Sequence, residues 1–304
     1  MYDLMIIGGG PAGLAAGVYA ARKRLNALLI SGDIGGQVNW TLNIENYLGY
    51  QFIEGPELIN KFHSQVSQFP IDQKIGHKVS WLDKIDGGFE VTTERGDRYQ
   101  SKAVIFATGK RPKKLNVPGE AEFTGRGVTY CAICDGPVFA GQKVAVVGGG
   151  NSALGATLDM VKIAEHVDLV SLTPLTGDAI LVEKLADAKN LSIFTEYQTE
   201  EIEGQKFVSS MLIKELKSGN SKRLDVTGVF IEIGLIPNSE PVRKLVDLNG
   251  SGEVLVNCSC ETTVPGLYAA GDVTNIPEKQ IVIAAGEGAK AALQAHRYLQ
   301  RLPV

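Results

Sequence analysis

The sequence is short of the residues that build disulfide scaffolds and metal centres, with only four cysteines and four histidines among 304 residues. Four cysteines are too few for a disulfide-stabilised fold and suit a reducing compartment, where a close pair is more often catalytic than structural. A surplus of positive charge is also missing, because the formal net charge is -4. This balance argues against a general affinity for nucleic acid or anionic membranes.

Long hydrophobic runs are missing as well, and none approaches the roughly 18 apolar residues that a membrane-spanning helix needs. The first strand is predicted within three residues of Met1, with no charged leader and no cleavage site ahead of it. We therefore expect no secretory signal and a cytoplasmic protein. The length leaves room for two domains, each with its own core.

Glycine is concentrated in two similar turns about 140 residues apart, DLMIIGGGPAGLAAG and KVAVVGGGNSALGAT. Each turn joins a predicted aliphatic strand to an alanine-rich helix, which directs the helix N-terminus at a pyrophosphate. One such turn is a weak signal, whereas two copies predict an α/β fold with two Rossmann-like nucleotide-binding domains. The turn positions are Gly8, Gly10 and Gly13 in the first copy, and Gly148, Gly150 and Ala153 in the second.

Proline-marked connectors predict that the second domain is inserted into the first. The segment AVIFATGKRPKK runs into Pro112, and GVFIEIGLIPNSEP ends near Pro237. We expect residues 112–237 to form the inserted domain and residues 1–111 and 238–304 to form the other. The stretch LYAAGDVTN and a helix from about Ile281 then return to the first nucleotide site.

A C-x-x-C pair, Cys131 and Cys134 in TYCAICDGP, lies just upstream of the second glycine turn. It is interpreted either as a redox disulfide or as half of a zinc site. Zinc needs further ligands, and the histidines are scattered without ligand spacing, so we expect no metal. Cys258 and Cys260 are interpreted as ordinary strand residues. The four histidines are His63, His77, His166 and His296.

Taken together, these motifs resemble the low-molecular-weight thioredoxin reductase family, the class II FAD-dependent pyridine nucleotide-disulfide oxidoreductases. The chain is also similar to the flavoprotein subunit of alkyl hydroperoxide reductase without its N-terminal extension. The matching motifs are GGGPAG (8–13), GGQ (35–37), IENY (44–47), ATG (107–109), CAICD (131–135), VVGGGNSA (146–153), AAGD (269–272) and KQIVIAAGEGAKAA (279–292).

The resemblance implies that residues 1–111 and 238–304 bind FAD and that 112–237 form a pyridine-nucleotide-type domain carrying the C-x-x-C pair. FAD would contact Gly8, Gly10, Gly13, Gly35, Gly36, Gln37, Asn46, Thr108, Gly109, Gly271, Asp272, Gln280 and Ile281. The second site would use Gly148, Gly150, Asn151, Ser152 and Ala153. Simpler alternatives make Asn46 and Gln37 hydrogen-bonding loop residues.

The resemblance also implies catalytic roles. Cys134 would be the thiol nearer the flavin, Cys131 the thiol that attacks a partner's disulfide, and Asp135 the acid/base that moves a proton. A helix-capping role is the alternative for Asp135. The implied partner is a thioredoxin-like protein, the implied assembly is a homodimer, and rotation about the connectors near Pro112 and Pro237 would expose the disulfide.

The electron donor is less clear, because family members that use NADPH carry arginines where this chain has Ser171-Leu172-Thr173-Pro174 and Gly177. Asp168 lies too early in its strand to read a ribose and is interpreted as a sheet-edge residue. Strong NADPH preference is therefore not expected. NADH, ferredoxin and a second FAD remain open as donors, and a non-catalytic flavin redox sensor is the alternative function. For ferredoxin, the basic cluster at 110–114, otherwise interpreted as a solvated connector, is the one candidate dock.

Overall fold

The structure is a computed structural model that describes residues 1–41 and 44–303, so that Leu42, Asn43 and Val304 lie outside the described residues. Its strands are β1 (Tyr2–Ile7), β2 (Ala27–Ser31), β3 (Asp72–Ile75), β4 (Val79–Ile85), β5 (Gly88–Thr93), β6 (Arg98–Phe106), β7 (Lys110–Pro112), β8 (Val128–Thr129), β9 (Lys143–Val147), β10 (His166–Ser171), β11 (Leu191–Thr195), β12 (Tyr197–Gly204), β13 (Val208–Glu215), β14 (Ser221–Leu224), β15 (Gly228–Ile231), β16 (Leu235–Pro237) and β17 (Leu267–Ala269).

The α-helices are α1 (Pro11–Arg22), α2 (Gly55–Ser67), α3 (Glu120–Phe123), α4 (Ala132–Asp135), α5 (Asn151–Met160), α6 (Ala179–Leu185) and α7 (Ile281–Leu299). Short 3-10 helices cover Gly36–Trp40, Gly136–Phe139 and Glu240–Val242. None of the helices in the described ranges combines the length and the hydropathy of a membrane span.

The first sheet has the order β3-β2-β1-β6-β5-β4, with β17 beside β6. The strands β1, β2, β3, β6 and β17 run parallel, whereas β4 and β5 extend the sheet in antiparallel fashion. Alternate side chains of β1 enter opposite cores, Leu4 and Ile6 on one face and Met5 and Ile7 on the other. Both faces are covered, which explains why these strands read as continuous apolar runs.

The second sheet is parallel throughout, in the order β11-β10-β9-β15-β8, and its strands all lie between residues 128 and 231. A three-stranded antiparallel sheet, β12-β13-β14, packs on one face through Ile202, Met211 and Ile213. The first sheet instead takes its strands from both ends of the chain. The prediction of two Rossmann-like units is thereby confirmed.

The two predicted connectors lie side by side. β7 pairs with β16 in an antiparallel ladder that sets Pro112 opposite Leu235 and Lys110 opposite Pro237. The ladder lies where the sequence predicts the boundaries of an inserted domain, and the boundaries themselves remain a prediction.

Two expectations from the sequence are wrong. Cys258 and Cys260 lie in a turn instead of a strand, because the side chain of Asn257 accepts hydrogen bonds from the backbone of Ser259 and Glu261. Asp168 is not a sheet-edge residue, because β10 is an interior strand and the Asp168 carboxylate lies 3.3 Å from the His166 ring.

Helices α1 and α7 pack closely at the first glycine turn. A Cβ atom added at Gly288 of α7 would lie 1.9 Å from the carbonyl oxygen of Ala12 in α1, so only glycine allows this approach. The contact fixes the start of α7 beside the start of α1. Both helix N-termini therefore serve the same site.

Gly288→Ala is expected to lower the free energy of unfolding by about 1–3 kcal/mol, because the new methyl group meets backbone that cannot move away. The matched control is Gly286→Ala in the same helix, where no atom lies within 4 Å of an added Cβ. That variant should stabilise the protein by roughly 0.5–1 kcal/mol. Urea unfolding of both variants checks the difference, and equal effects would contradict the packing account.

Candidate active site

A cavity of about 840 Å³ opens at the carboxyl ends of the first sheet's parallel strands, the usual ligand position in open α/β sheets. Most of the residues predicted to contact FAD line it: Gly8, Gly10, Gly35, Gly36, Gln37, Thr108, Gly109, Gly271, Asp272, Gln280 and Ile281. The other two support the lining. Gly13 packs against the Gly8 carbonyl, and the Asn46 amide donates a hydrogen bond to Gln280 Oε1 at 3.1 Å.

The first glycine turn has the shape that a pyrophosphate needs. Gly8 has a φ of 117°, and a Cβ there would lie 2.2 Å from the Ala107 carbonyl oxygen. Gly10 precedes α1 directly and has no atom within 4 Å of an added Cβ. The backbone is thus open toward the cavity, with the N–H groups of a helix start behind it.

Polar groups just before α7 and after β17 complete the fit to FAD. Gln280 immediately precedes α7, whose N-terminus is a second site for partial negative charge. Asp272 follows β17 and lines the cavity, where burial raises the pKa of its carboxyl although Lys279 and Lys110 act to lower it. A half-buried carboxyl at the cavity wall is stabilised by a hydrogen-bond donor, and a ribitol hydroxyl would supply one. The residues present therefore fit an FAD molecule.

Helix α7 also holds the turn that carries Asp272. Glu287 is buried in this helix, and its Oε2 accepts a hydrogen bond of 2.7 Å from the backbone N–H of Gly271. Burial raises the pKa of Glu287, and the Gly271 hydrogen bond acts against that shift. The sequence motif included Glu287 but gave no signal for this role.

The redox pair opens onto the same cavity. Cys131 and Cys134 form a disulfide with their Cα atoms 5.3 Å apart, and both line the cavity together with Tyr130. Cys131 caps the short helix α4, since its Sγ accepts a hydrogen bond of 3.2 Å from the Cys134 N–H. The disulfide thus faces the residues that fit the flavin.

Asp135 ends the same helix and is buried. Its Oδ2 accepts a hydrogen bond from the Thr129 hydroxyl, and its side chain makes no capping bond to the 3-10 helix that follows. The capping interpretation is therefore wrong, because β8 brings Thr129 within reach of the carboxyl. A buried carboxyl therefore lies next to the disulfide in the sequence and in the cavity lining.

A cluster of half-buried charges borders the cavity and was missed from the sequence. Lys110 of β7 donates to Glu253 Oε1 at 2.5 Å, and the Lys279 ammonium lies 3.3 Å from the same oxygen. Although burial raises it, these two lysines and Asn249 lower the pKa of Glu253 overall. Lys110 is therefore not a solvated connector residue. Its partner Glu253 lies 143 residues away in the sequence, so the local pattern did not show the pair.

The second glycine turn is contacted by protein groups on both sides. The Gly149 carbonyl accepts hydrogen bonds from the N–H groups of Thr176 (2.7 Å) and Gly177 (3.1 Å). The Asn151 amide is bonded to Asp178 at 3.1 Å, and the Ser152 hydroxyl donates to Glu232 at 2.5 Å. The first turn has a counterpart to the Gly149 contact, since the Gly9 carbonyl accepts from Gly35 N–H at 2.8 Å.

The strand end that reads a dinucleotide's ribose is occupied by a serine. Ser171 is buried, and its Oγ would lie 2.3 Å from a Cβ added at Gly149. Leu172 and Thr173, which follow it, are exposed. Residues 171–178 contain no lysine or arginine. Ala153, the last predicted residue of this site, packs against Gly148 and belongs to the turn's packing.

Glu232 is a further residue that the sequence pattern did not single out. It directly follows β15, at the carboxyl end of the second sheet, and burial raises the pKa of its carboxyl despite hydrogen bonds from Ser152 and Ala132. A lone acidic residue at the end of an apolar parallel strand was an available signal.

Comparison with known proteins agrees with this site. The profile of the pyridine nucleotide-disulphide oxidoreductase family matches residues 2–289. The F subunit of alkyl hydroperoxide reductase from Staphylococcus aureus (strain MSSA476) is 40% identical over 301 residues, which are 99% of this chain and 59% of the relative. Its counterpart in Pseudomonas putida is 41% identical over 304 residues, 99% and 58% respectively. The chain thus spans less than two thirds of these relatives.

Solved structures match along the whole chain. Thioredoxin reductase from Streptococcus pyogenes MGAS5005 is 36% identical, with a TM-score of 0.93 and 99% of both chains covered. The Giardia duodenalis thioredoxin reductase is 32% identical, with a TM-score of 0.90 over 98% of this chain and 99% of that one. A Lactococcus lactis thioredoxin reductase in an "FR conformation" is 34% identical but has a TM-score of 0.70 at 99% and 100% coverage.

The glycine turns, the redox disulfide and these relatives lead to one assignment. The chain belongs to the pyridine nucleotide-disulphide oxidoreductase family, as an FAD-dependent disulfide oxidoreductase of the type represented by low-molecular-weight thioredoxin reductases and the F subunit of alkyl hydroperoxide reductase.

Proposed function

We propose that the chain is a thioredoxin reductase-like enzyme that reduces the Cys131–Cys134 disulfide through FAD and passes the electron pair to a thioredoxin-like protein. The observation that carries this proposal is the single cavity lined both by the FAD-fitting residues and by the disulfide. A flavin sensor without catalysis needs neither the paired thiols nor their position there. When bound, FAD supplies a carrier that accepts an electron pair and gives it up again.

The residues of this chain have separate tasks in that reaction. The turn at Gly8 and Gly10 would hold the pyrophosphate, and Asp272 after β17 and Gln280 just before α7 would bind the rest of the FAD molecule. Asp135 holds a proton beside the pair, where it can protonate a departing thiolate.

Reduction of the partner is a thiol–disulfide exchange in two displacements. The Cys131 thiolate attacks one sulfur of the partner's disulfide, so that a mixed disulfide forms and the partner's other sulfur leaves as a thiolate. The Cys134 thiolate then attacks the Cys131 sulfur, which restores the Cys131–Cys134 bond and releases the partner's second thiolate. Protonation of the two thiolates completes the balance.

A protein disulfide cannot reach a pair that faces the cavity, so the pair has to turn outward between half-reactions. The antiparallel ladder of β7 and β16 is the proposed pivot, because both chain crossings lie in it. The Lactococcus structure supports such a rotation. Its lower TM-score at full coverage and similar identity indicates that the same parts are placed differently.

For the electron donor we propose a molecule without a 2′-phosphate, NADH first, with ferredoxin or a second FAD as the alternatives. Support comes from the buried Ser171 at the ribose position and from the lack of cationic residues in 171–178. The carboxyl groups of Asp178 and Glu232, which lie beside the second turn, also disfavour a donor with an additional phosphate. We further propose a cytoplasmic homodimer, as expected from cysteine usage and from the family.

Cysteine substitutions test the order of the exchange. Cys134→Ser leaves the attacking thiol without its resolving partner, so it should form a stable mixed disulfide with a thioredoxin that carries thionitrobenzoate on its own single active cysteine. Cys131→Ser should form none. Release of thionitrobenzoate and a non-reducing gel measure both. Cys258→Ser, an exposed free cysteine, is the control and should turn over normally. Trapping by Cys131→Ser but not by Cys134→Ser would reverse the assignment.

Asp135→Asn tests the proton donor. We expect the rate of thioredoxin reduction to fall by roughly 10²-fold or more, because an amide cannot supply the proton. Flavin content and the thermal unfolding midpoint should change little. Asp159→Asn is the control, since that exposed carboxylate of α5 is paired with the equally exposed Lys162. Turnover of Asp135→Asn at the native rate would remove Asp135 from the mechanism.

Thr173→Arg tests the donor site. A guanidinium at this exposed position restores a phosphate ligand, so the dissociation constant of NADPH should fall roughly tenfold while that of NADH stays unchanged. Thr173→Met is the neutral control of similar length. Anaerobic titration followed by flavin absorbance and calorimetry measures both nucleotides. A native protein that already prefers NADPH strongly over NADH would contradict the proposal.

A further inference from the structure

Glu232 touches both chemical motifs of the middle of the chain. Its Oε1 accepts a hydrogen bond of 3.2 Å from the backbone N–H of Ala132, the residue between Cys131 and the rest of the redox helix. Its Oε2 accepts the 2.5 Å hydrogen bond from the hydroxyl of Ser152, in the first turn of α5. One carboxyl group therefore bridges two elements that are separate along the chain.

The backbone of Glu232 is fixed against the second glycine turn. Its N–H donates to the Val147 carbonyl at 2.8 Å, and its own carbonyl oxygen would lie 2.4 Å from a Cβ added at Gly148. The side chain thus extends from a rigid strand end. Val147 and Gly148 both lie closely against the backbone of Glu232, so a movement of the turn also shifts the carboxyl group.

The redox helix also rests directly on the helix that begins at this turn. α4 packs on α5, and Gly136, just after α4, approaches the sulfur of Met160 so closely that an added Cβ would lie 3.1 Å from it. The hydrogen bonds of Glu232 therefore add to a packing contact that already joins α4 and α5. A shift at the start of α5 can reach α4 through this packing and through the two hydrogen bonds of Glu232.

We propose that Glu232 is a positioning residue that couples ligand binding at the second glycine turn to the redox state of the Cys131–Cys134 pair. A pyrophosphate bound at the start of α5 competes with the carboxylate for the Ser152 hydroxyl and repels its charge. Displacement of Glu232 from Ser152 changes its hold on Ala132, one residue from Cys131. This inference rests on the proposed function, which supplies both the ligand and the redox reaction.

The direction of the coupling follows from the covalent clamp. In the disulfide form, Cys131 and Cys134 are joined across the first turn of α4, so Ala132 cannot follow a moving carboxylate. Reduction opens the disulfide, so the hydrogen bonds of Glu232 can rearrange at a lower cost in free energy. A dinucleotide fragment should therefore bind the dithiol form more tightly, and by reciprocity its binding should favour reduction of the disulfide.

The test uses FAD-loaded protein and ADP-ribose as the probe, since that fragment carries the pyrophosphate without the redox-active ring. Calorimetry gives its dissociation constant for the oxidised protein and for protein reduced with dithiothreitol, with free thiols counted and flavin absorbance checked. In the native protein the dithiol form should bind at least about fivefold more tightly. A dithiothreitol redox titration at saturating ADP-ribose should show the same factor in the disulfide equilibrium.

Three variants separate coupling from structure. Glu232→Ala lacks both hydrogen bonds, so its two dissociation constants should become equal while binding persists. Glu232→Gln keeps an acceptor for Ala132 and can donate to Ser152, so it should rescue most of the difference. Glu183→Ala, an exposed glutamate of α6 in the same part of the chain, is the control and should behave as the native protein.

The outcomes decide between this inference and the proposed function. Equal affinities in the native protein, or an unchanged difference in Glu232→Ala, overturn the coupling and leave the reductase function standing. Failure of ADP-ribose to bind either form overturns the coupling together with the nucleotide role of the second turn. A Cys131–Cys134 pair that dithiothreitol cannot open would instead overturn the proposed function.

Discussion

The ladder between β7 and β16 is the constraint on which the active site depends, because it carries both chain crossings between the two sheets. Two hydrogen bonds at one end of the ladder join Thr108 and Asn238 in both directions, at 2.9 and 2.8 Å. The half-buried Lys110–Glu253 pair anchors β7 to the first sheet's side. The position of the disulfide over the flavin cavity follows from these contacts.

The two glycine turns show how one local structure can serve two purposes. The first turn faces open space at Gly10 and leads into a cavity shared with the disulfide. The second turn is engaged by Thr176, Gly177 and Glu232, and it lies against the helix that supports the redox motif. Its strand end carries a neutral serine where a charged selector is usual. The second turn is thus joined to α4 through the hydrogen bonds of Glu232, and the proposed coupling concerns this turn.

Local signals in the sequence predicted much of the fold and of the site. The strand–turn–helix pattern predicted both sheets, and the start of α7 at Ile281 agrees with the expected position. Most of the predicted FAD residues line the cavity because they lie at or within two residues of the end of a strand or the start of a helix. Such positions are determined by short segments of chain, which a sequence displays directly.

Contacts between distant segments could not be predicted in the same way. Lys110 meets Glu253 across 143 residues, and Glu232 reaches Ala132 across 100. Neither pairing can be seen in the local pattern, so Lys110 was predicted to be solvated, and the strand-end position of Glu232 gave no indication of its partner. Cys258 and Cys260 were predicted to lie in a strand, because the turn that the Asn257 side chain stabilises was not recognised in the sequence. The Asp135 side chain likewise depends on Thr129, which β8 places beside it.

An anaerobic dithionite titration of the FAD-loaded protein, with electron pairs counted per chain, tests the central claim most directly. The account predicts two electron pairs for the native protein, one for the flavin and one for the Cys131–Cys134 disulfide. It predicts a single pair for the variant in which both cysteines are replaced by serine. Full flavin bleaching in the native protein after a single pair, with the disulfide still closed, would contradict electron transfer between the two groups.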